Sequence, residues 1–311
     1  MTRVRALLES TRPFTLAPPV LGMVSGGLSA LGAGRSLVSG SSFVTHVVCG
    51  AAMAGLLNAA SNVLNQIHDI HLDEINKPER PIPSGRLSLF AARAWALLLY
   101  VVSIGLAFLL TPAGSPEVGG IVLVTAILTW IYSAPPIRAR NSWWLGPLVI
   151  AIPRGLLLKV AGWGAVAPVL SDREPWVLGC VFFVYVIGAA PVKDFADVEG
   201  DRRGGASSLP IRFGPRRAAT IVAAFLVLPG ILLMALPSIH VGGRPLLSLN
   251  PLFAALAGAV IFGHGLRVGR VMVSDPLALV HGGGQAAWRH MYLLMMELQI
   301  AAAALYFFGH P

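Results

Sequence analysis

The chain has 311 residues, 55% of them apolar and only 12% charged, with a formal net charge of +9. So little charge cannot coat a soluble globule of this size, which excludes a water-soluble core-and-surface arrangement. Apolar stretches of about 20 residues recur along the whole length, the amount of helix that crosses a ~30 Å hydrocarbon core, so the expected fold is an all-α membrane protein of about nine transmembrane helices. One domain over residues 1–311 is the simplest organisation, since no soluble appendage or linker interrupts the pattern.

In chain order the spans fall near residues 14–33, 44–68, 90–111, 118–133, 145–163, 174–193, 216–236, 248–266 and 286–308. The first follows Arg3, Arg5 and Arg12 as a signal peptide would. It lacks a small-x-small cleavage site and the chain keeps returning to the membrane, so it reads as a retained helix. Cys49 and Cys180 lie inside spans, where a thiol behaves as a small apolar group.

Cytoplasmic connections accumulate Lys and Arg. The N-terminus and every second connection carry sixteen of them: Arg3, Arg5, Arg12, Lys77, Arg80, Arg86, Arg93, Arg138, Arg140, Arg202, Arg203, Arg212, Arg216, Arg217, Arg267 and Arg270. The other side carries three, Arg35, Arg173 and Arg244. This predicts a bacterial inner-membrane protein with its N-terminus in the cytoplasm and its C-terminus outside. The positive charge then reports topology and attraction to anionic headgroups, and no nucleic-acid partner is expected.

Two segments break the apolar pattern with carboxylates, at the cytoplasmic ends of the second and sixth spans. In the first, Asn65, Asp69 and Asp73 are spaced i, i+4, i+8; in the second, Asp194, Asp197 and Asp201 are spaced i, i+3, i+7. On a continuous helix each set lies along one face. Carboxylates at this depth are costly unless neutralised, and two such strips facing each other would repel. Mg²⁺ resolves the conflict: it prefers oxygen ligands and commonly takes one or two carboxylates, with water and substrate phosphates completing its shell. The strips therefore point to Mg²⁺ bridging the protein to a diphosphate. A zinc site using His68 and His71 is disfavoured, because His68 and Asp69 point about 100° apart on a helix.

These residues resemble the UbiA superfamily of intramembrane prenyltransferases. Its first motif, N-x-x-x-D-x-x-x-D, is matched by Asn65, Asp69 and Asp73, and its second, D-x-x-D-x-x-x-D, by Asp194, Asp197 and Asp201. The stretch from Ile75 to Ser88 looks like the branch containing chlorophyll synthases and geranylgeranylglyceryl phosphate synthases, and Tyr132-Ser-Ala-Pro-Pro matches the family stretch after the fourth helix. Many members carry Asp immediately after the motif Asn; this chain has Gln66, so one contact to metal or phosphate is expected to be missing or altered. The resemblance implies helices around a central cavity capped by the aspartate-bearing loops. It also implies transfer of a prenyl group from a prenyl diphosphate to a lipophilic or aromatic acceptor.

On this reading Asp69, Asp73, Asp194 and Asp201 are the principal Mg²⁺ ligands, with Asn65 and Asp197 in support. Arg138, Arg140, Arg154 and Lys193 are candidates to hold the diphosphate, Arg as a planar fork and Lys as a point charge. Arg154 stands within a span, where an arginine needs a partner. A terpene cyclase of the same superfamily would use the same strips. A transporter is disfavoured, because both strips lie at the cytoplasmic edge and not at the bilayer midplane.

Overall fold

A computed structural model describes residues 3–110, 117–280 and 285–308. Its helices in chain order are α1 (Arg3–Ser10), α2 (Ala17–Gly32), α3 (Gly40–His68), α4 (Ile70–Asn76), α5 (Leu89–Leu109), α6 (Glu117–Ser133), α7 (Leu145–Ala151), α8 (Leu158–Gly164), α9 (Glu174–Ala189), α10 (Val198–Arg203), α11 (Leu209–Phe213), α12 (Pro215–Ala235), α13 (Pro251–Ser274), α14 (Pro276–Ala278) and α15 (Gln285–Phe308). A π-helical turn, Ile152–Leu157, joins α7 to α8 as one span, and a 3₁₀ segment, Ala190–Phe195, extends α9. A small hairpin pairs β1 (His240–Val241) with β2 (Arg244–Pro245).

Among the described residues seven helices are long and apolar enough to cross a membrane, and eight if α1 and α2 count as one span bent by 56°. The 17-residue α6 is apolar but shorter. The expected number of nine is therefore reached only by counting both the bent pair and this short helix. The eighth expected span ends at Ser274 and not at 266, which moves Arg267 and Arg270 from a connection into α13. Arginine stems can lie along a helix while their heads reach the interface, so two basic residues do not end it. Helix α13 stops where Asp275 precedes Pro276, a position biased away from helix.

The bend between α1 and α2 follows from local chemistry. Arg12 precedes Pro13 and adopts a left-handed conformation, φ 53° and ψ 68°. The break leaves carbonyl groups without helical partners, and α3 supplies the donors. Asn58, Asn62 and Gln66, spaced four apart on one face, donate to Thr15 O at 3.1 Å, Thr11 O at 2.9 Å and Ser10 O at 2.5 Å, and Asn62 also reaches Thr15 Oγ1 at 2.8 Å.

Small residues then let backbones approach, as membrane helices require. A Cβ at Gly26 of α2 would lie 2.8 Å from the Cα of Gly162 in α8, and one at Gly230 of α12 would lie 2.6 Å from the carbonyl oxygen of Gly258 in α13. In its best membrane-length window α3 is 72% buried and α5 only 22%, which makes α3 the central element and α5 a lipid-facing wall. Lys159 is sealed in the same core: its ammonium donates to Ser25 Oγ at 2.8 Å and Gln299 Oε1 at 2.5 Å and sits 4.2 Å from the Phe182 ring, tying α2, α8, α9 and α15 together.

Candidate active site

Both acidic strips stand at the same end of the bundle and face each other. Neither is a continuous helix. α3 ends at His68, Asp69 takes φ −105° and ψ 14°, and α4 starts afresh at Ile70. The break has a cause in a third loop: Arg138 donates to the His68 carbonyl at 2.9 Å, a partner from outside the helix. The second strip is likewise split, Asp194 lying in the 3₁₀ extension of α9, Asp197 capping α10 and Asp201 within it. The single-face geometry expected of each strip is thus replaced by two kinked segments. Leu72 of α4 packs where a Cβ on Gly204 would fall, 2.6 Å from its Cδ2, so the segments touch.

Basic side chains thread the carboxylates. Arg138 donates to Asp69 Oδ1 at 2.9 Å, and Arg140 contacts Asp69 Oδ2 while its other nitrogen stands 3.9 Å from Asp201 Oδ1. Arg80 reaches both Asp73 oxygens at 2.6 Å, and Lys77 lies 3.9 Å from Asp197. Arg140 is the crosspiece, with one guanidinium between the two strips. Burial pulls Arg140 and Lys77 below their usual values, against the opposing pull of Asp201, Asp194 and Asp197 on the first and mainly Asp197 on the second. Asp201 is pushed above the ordinary carboxylate range by burial, with Asp197 adding to the effect and Arg140 opposing it.

A cavity opens on the second strip and Arg140, lined among others by Tyr132, Lys193, Asp194, Asp197 and Asp201. Lys193 donates to Tyr132 Oη at 3.2 Å. Asn65 is half-buried at the end of α3. Arg154 stands apart, donating to Asn58 Oδ1 at 3.1 Å beside a second, more apolar cavity. His68 lies edge-on to Trp130 with centroids 6.3 Å apart, and His71 is 98% exposed beside Glu74, so the two histidines diverge and give zinc no site.

Sequence reasoning took Arg12, Lys77 and Arg80 as topology signals only, and the structure brings all three to the site. Arg12 lies within Coulombic range of Arg80, Asp73, Arg140 and Arg154, and its buried Nε makes no hydrogen bond among the described residues. The signal available was its position before Pro13, which forces a break and turns its side chain inward. Gln66, 1% exposed, bonds Ser10 O and belongs to the bend.

Among the described residues no three carboxylates or imidazoles are grouped to hold an ion by themselves. Mg²⁺ does not need such a group, since one or two carboxylates suffice when phosphate and water complete the shell. The acidic surplus registered at Asp201 and the oxygen-only donor set suit that ion. An all-α membrane bundle whose two acidic segments are joined by an arginine beside a charged cavity fits the class of intramembrane prenyl-transferring enzymes.

The chain belongs to the UbiA prenyltransferase family, whose profile matches residues 20–276. It is 31% identical over 309 residues to the bacteriochlorophyll synthase 33 kDa chain of Cereibacter sphaeroides, covering 97% of this chain and 93% of the relative. It is 32% identical over 280 residues to digeranylgeranylglyceryl phosphate synthase of Methanoregula boonei, covering 89% and 90%. The fold matches a solved UbiA homolog from Archaeoglobus fulgidus bound to DMAPP and Mg²⁺, with a TM-score of 0.67, 17% identity and coverage of 93% and 98%. It also matches a solved digeranylgeranylglyceryl phosphate synthase, with a TM-score of 0.68, 21% identity and 99% of each chain covered.

Proposed function

We propose that this prenyltransferase takes a prenyl diphosphate, with Mg²⁺, at the cytoplasmic face of a bacterial inner membrane and transfers the prenyl group to a lipophilic or aromatic acceptor, releasing diphosphate. The observation that carries the reading is Arg140 between Asp69 and Asp201, which ties the acidic segments at α3–α4 and α10 together beside one cavity. The relatives named above are synthases of bacteriochlorophyll and of digeranylgeranylglyceryl phosphate, which supports an acceptor met at the membrane.

Without ligand, the first-strip carboxylates are held by arginines. A diphosphate competes for those same guanidinium forks, since Arg binds phosphate oxygens in the geometry it uses for carboxylate. Arg80, Arg138 and Arg140 can then turn to the diphosphate, joined by Arg12 and Lys193. That exchange frees Asp69 and Asp73 to act with Asp194 and Asp201 as metal ligands, Asn65 and Asp197 supporting. Bound there, Mg²⁺ would supply Lewis-acid stabilisation of the departing diphosphate. The allylic cation needs a chamber poor in water, and the apolar cavity beyond Arg154 offers one. Tyr132 stands at the junction with its ring 5.8 Å from Lys193 Nζ.

The test is diphosphate release by the detergent-purified chain from prenyl diphosphates, with Mg²⁺ and a membrane lipid extract as acceptor source. Asp73→Asn and Asp201→Asn should each lower the Mg²⁺-dependent rate by roughly a hundredfold, the scale for losing a charge-stabilising group, while the protein stays monodisperse. Wild-type rates in both variants would remove the metal assignment. A cyclised product formed without acceptor would replace transfer by cyclisation.

A further inference from the structure

A second cavity lies further along α6 and α7 from the one lined by the second strip. Their linings lie one turn apart on two elements at once. On α6, Tyr132 lines the first cavity and Thr129, one turn away, lines the second; on α7 and its π-helical extension, Ile150 lines the first and Pro153 and Arg154 the second. On α3 the second cavity begins at Ser61 and Asn58, on the outward side of Asn65 and Asp69. Its near end is polar, with Arg154 bonded to Asn58. Its far end is apolar, where Met23 of α2 and Met53 of α3, each 1% exposed, stand beside Ala161 and Val122.

We propose that Met23 and Met53 form the floor of the prenyl-tail channel and set the longest tail this enzyme accepts. This rests on the transferase reading above, because it needs the diphosphate to sit at Asp69. Sixteen residues separate Met53 from Asp69 along α3, or ~24 Å at 1.5 Å per residue. An extended covalent chain advances roughly 1.2 Å per bond, as a polypeptide does. A main chain of four isoprene units with its diphosphate therefore fills the depth, and a fifth unit meets the floor.

Methionine suits this place: its unbranched thioether adapts to the end of a flexible chain and brings no polar group to the cation's chamber. The floor also has an internal lever. The Met23 tip rests against Gly50, where an added Cβ would lie 2.6 Å from Met23 Cε. Because the obstructing atom is the free end of a flexible side chain, Gly50→Ala should lift that tip into the channel without disturbing backbone.

The experiment measures Mg²⁺-dependent binding of non-hydrolysable prenyl thiodiphosphates of three, four, five and six isoprene units to the full chain in detergent. Wild type should bind the four-unit probe tightest and lose affinity at five. Met53→Ala should improve the five-unit probe about tenfold, the worth of roughly two buried methylenes. Gly50→Ala should weaken the four-unit probe about tenfold and leave the three-unit probe unchanged. Opposite shifts of the length limit cannot come from a merely destabilised fold. If wild type binds these probes and neither variant moves the limit, the floor is wrong and the transferase reading stands. If wild type binds no prenyl probe at any length, both fall.

Discussion

Among the described residues two non-glycine side chains hold positive φ, Arg12 at 53° and Arg138 at 43°, and both turn toward Asp69 and Asp73. The left-handed conformation costs an L-residue roughly 1–2 kcal/mol, and such strain persists where surrounding structure over-determines it, often at ligand clamps. Arg138 is over-determined by its bonds to His68 O and Asp69, and Arg12 by the amides that pin the residues on either side of it. We expect Arg12→Gln to weaken Mg²⁺-dependent prenyl thiodiphosphate binding tenfold or more, from the ~1.5–3 kcal/mol of a charged hydrogen bond. Arg35→Ala, beside Asp172 on the other side, should leave it unchanged; equal losses in both would remove Arg12 from the site.

Asp201 carries a second prediction at this scale. Its folded pKa is raised, so its favourable contribution is present below the unfolded value and is lost as pH rises through the folded one. Ionising Asp201 in the metal-free protein is therefore unfavourable, its side chain being only 12% exposed. Asp201→Asn should melt above wild type without metal, with the gap closing at acid pH. Mg²⁺ with diphosphate should stabilise wild type and not the variant. A variant less stable than wild type at neutral pH would contradict the sign.

At the scale of elements, α3 works twice. Its cytoplasmic end delivers Asn65 and Asp69, and one face of the same helix, through Asn58, Asn62 and Gln66, holds the bend that delivers Arg12. Gln66→Ala would leave the buried Ser10 carbonyl without its donor, at a cost of about 1–3 kcal/mol. It should also weaken diphosphate binding, although Gln66 touches no proposed ligand. Thermal unfolding and probe binding read the two effects separately, and a variant that lost stability with full binding would show that the bend does not position Arg12. The kinks at Asp69 and at Ala196–Asp197 could not be seen in residue spacing, since the i, i+4 pattern is equally that of an unbroken helix. What breaks the first is a guanidinium from a loop 70 residues away.

At the scale of the molecule, hydrogen bonds join the described connections on the side opposite the carboxylates. Glu174 accepts from Ser248 N and Tyr306 Oη at 2.6 Å each, and Arg173 donates to the carbonyls of Val241 and Arg244 at 2.7 Å, fastening the hairpin to α9. The charge asymmetry predicts the acidic end to be cytoplasmic. With Cys49 and Cys180 replaced, a Ser84→Cys variant should react with an impermeant maleimide only after permeabilisation, and His240→Cys in intact cells. The reverse pattern would invert the topology.

Composition and apolar length alone determined that this is a helical membrane protein, because the bilayer imposes one length and one polarity on whatever crosses it. The motif spacings alone determined the family and which carboxylates to watch, because charge at that depth is too costly to be incidental. Only the tertiary structure decided which cations meet those carboxylates. Arg80 read as one loop charge among many, Arg140 as a candidate to hold diphosphate, and Gln66 as a neighbour of the motif, until the tertiary structure gave each a protein partner. Only the structure, too, made Lys159 a sealed tie and placed Met23 beside Met53: residues 30 apart in sequence become one floor when α2 and α3 pack side by side, a relation between helices that no single helix carries.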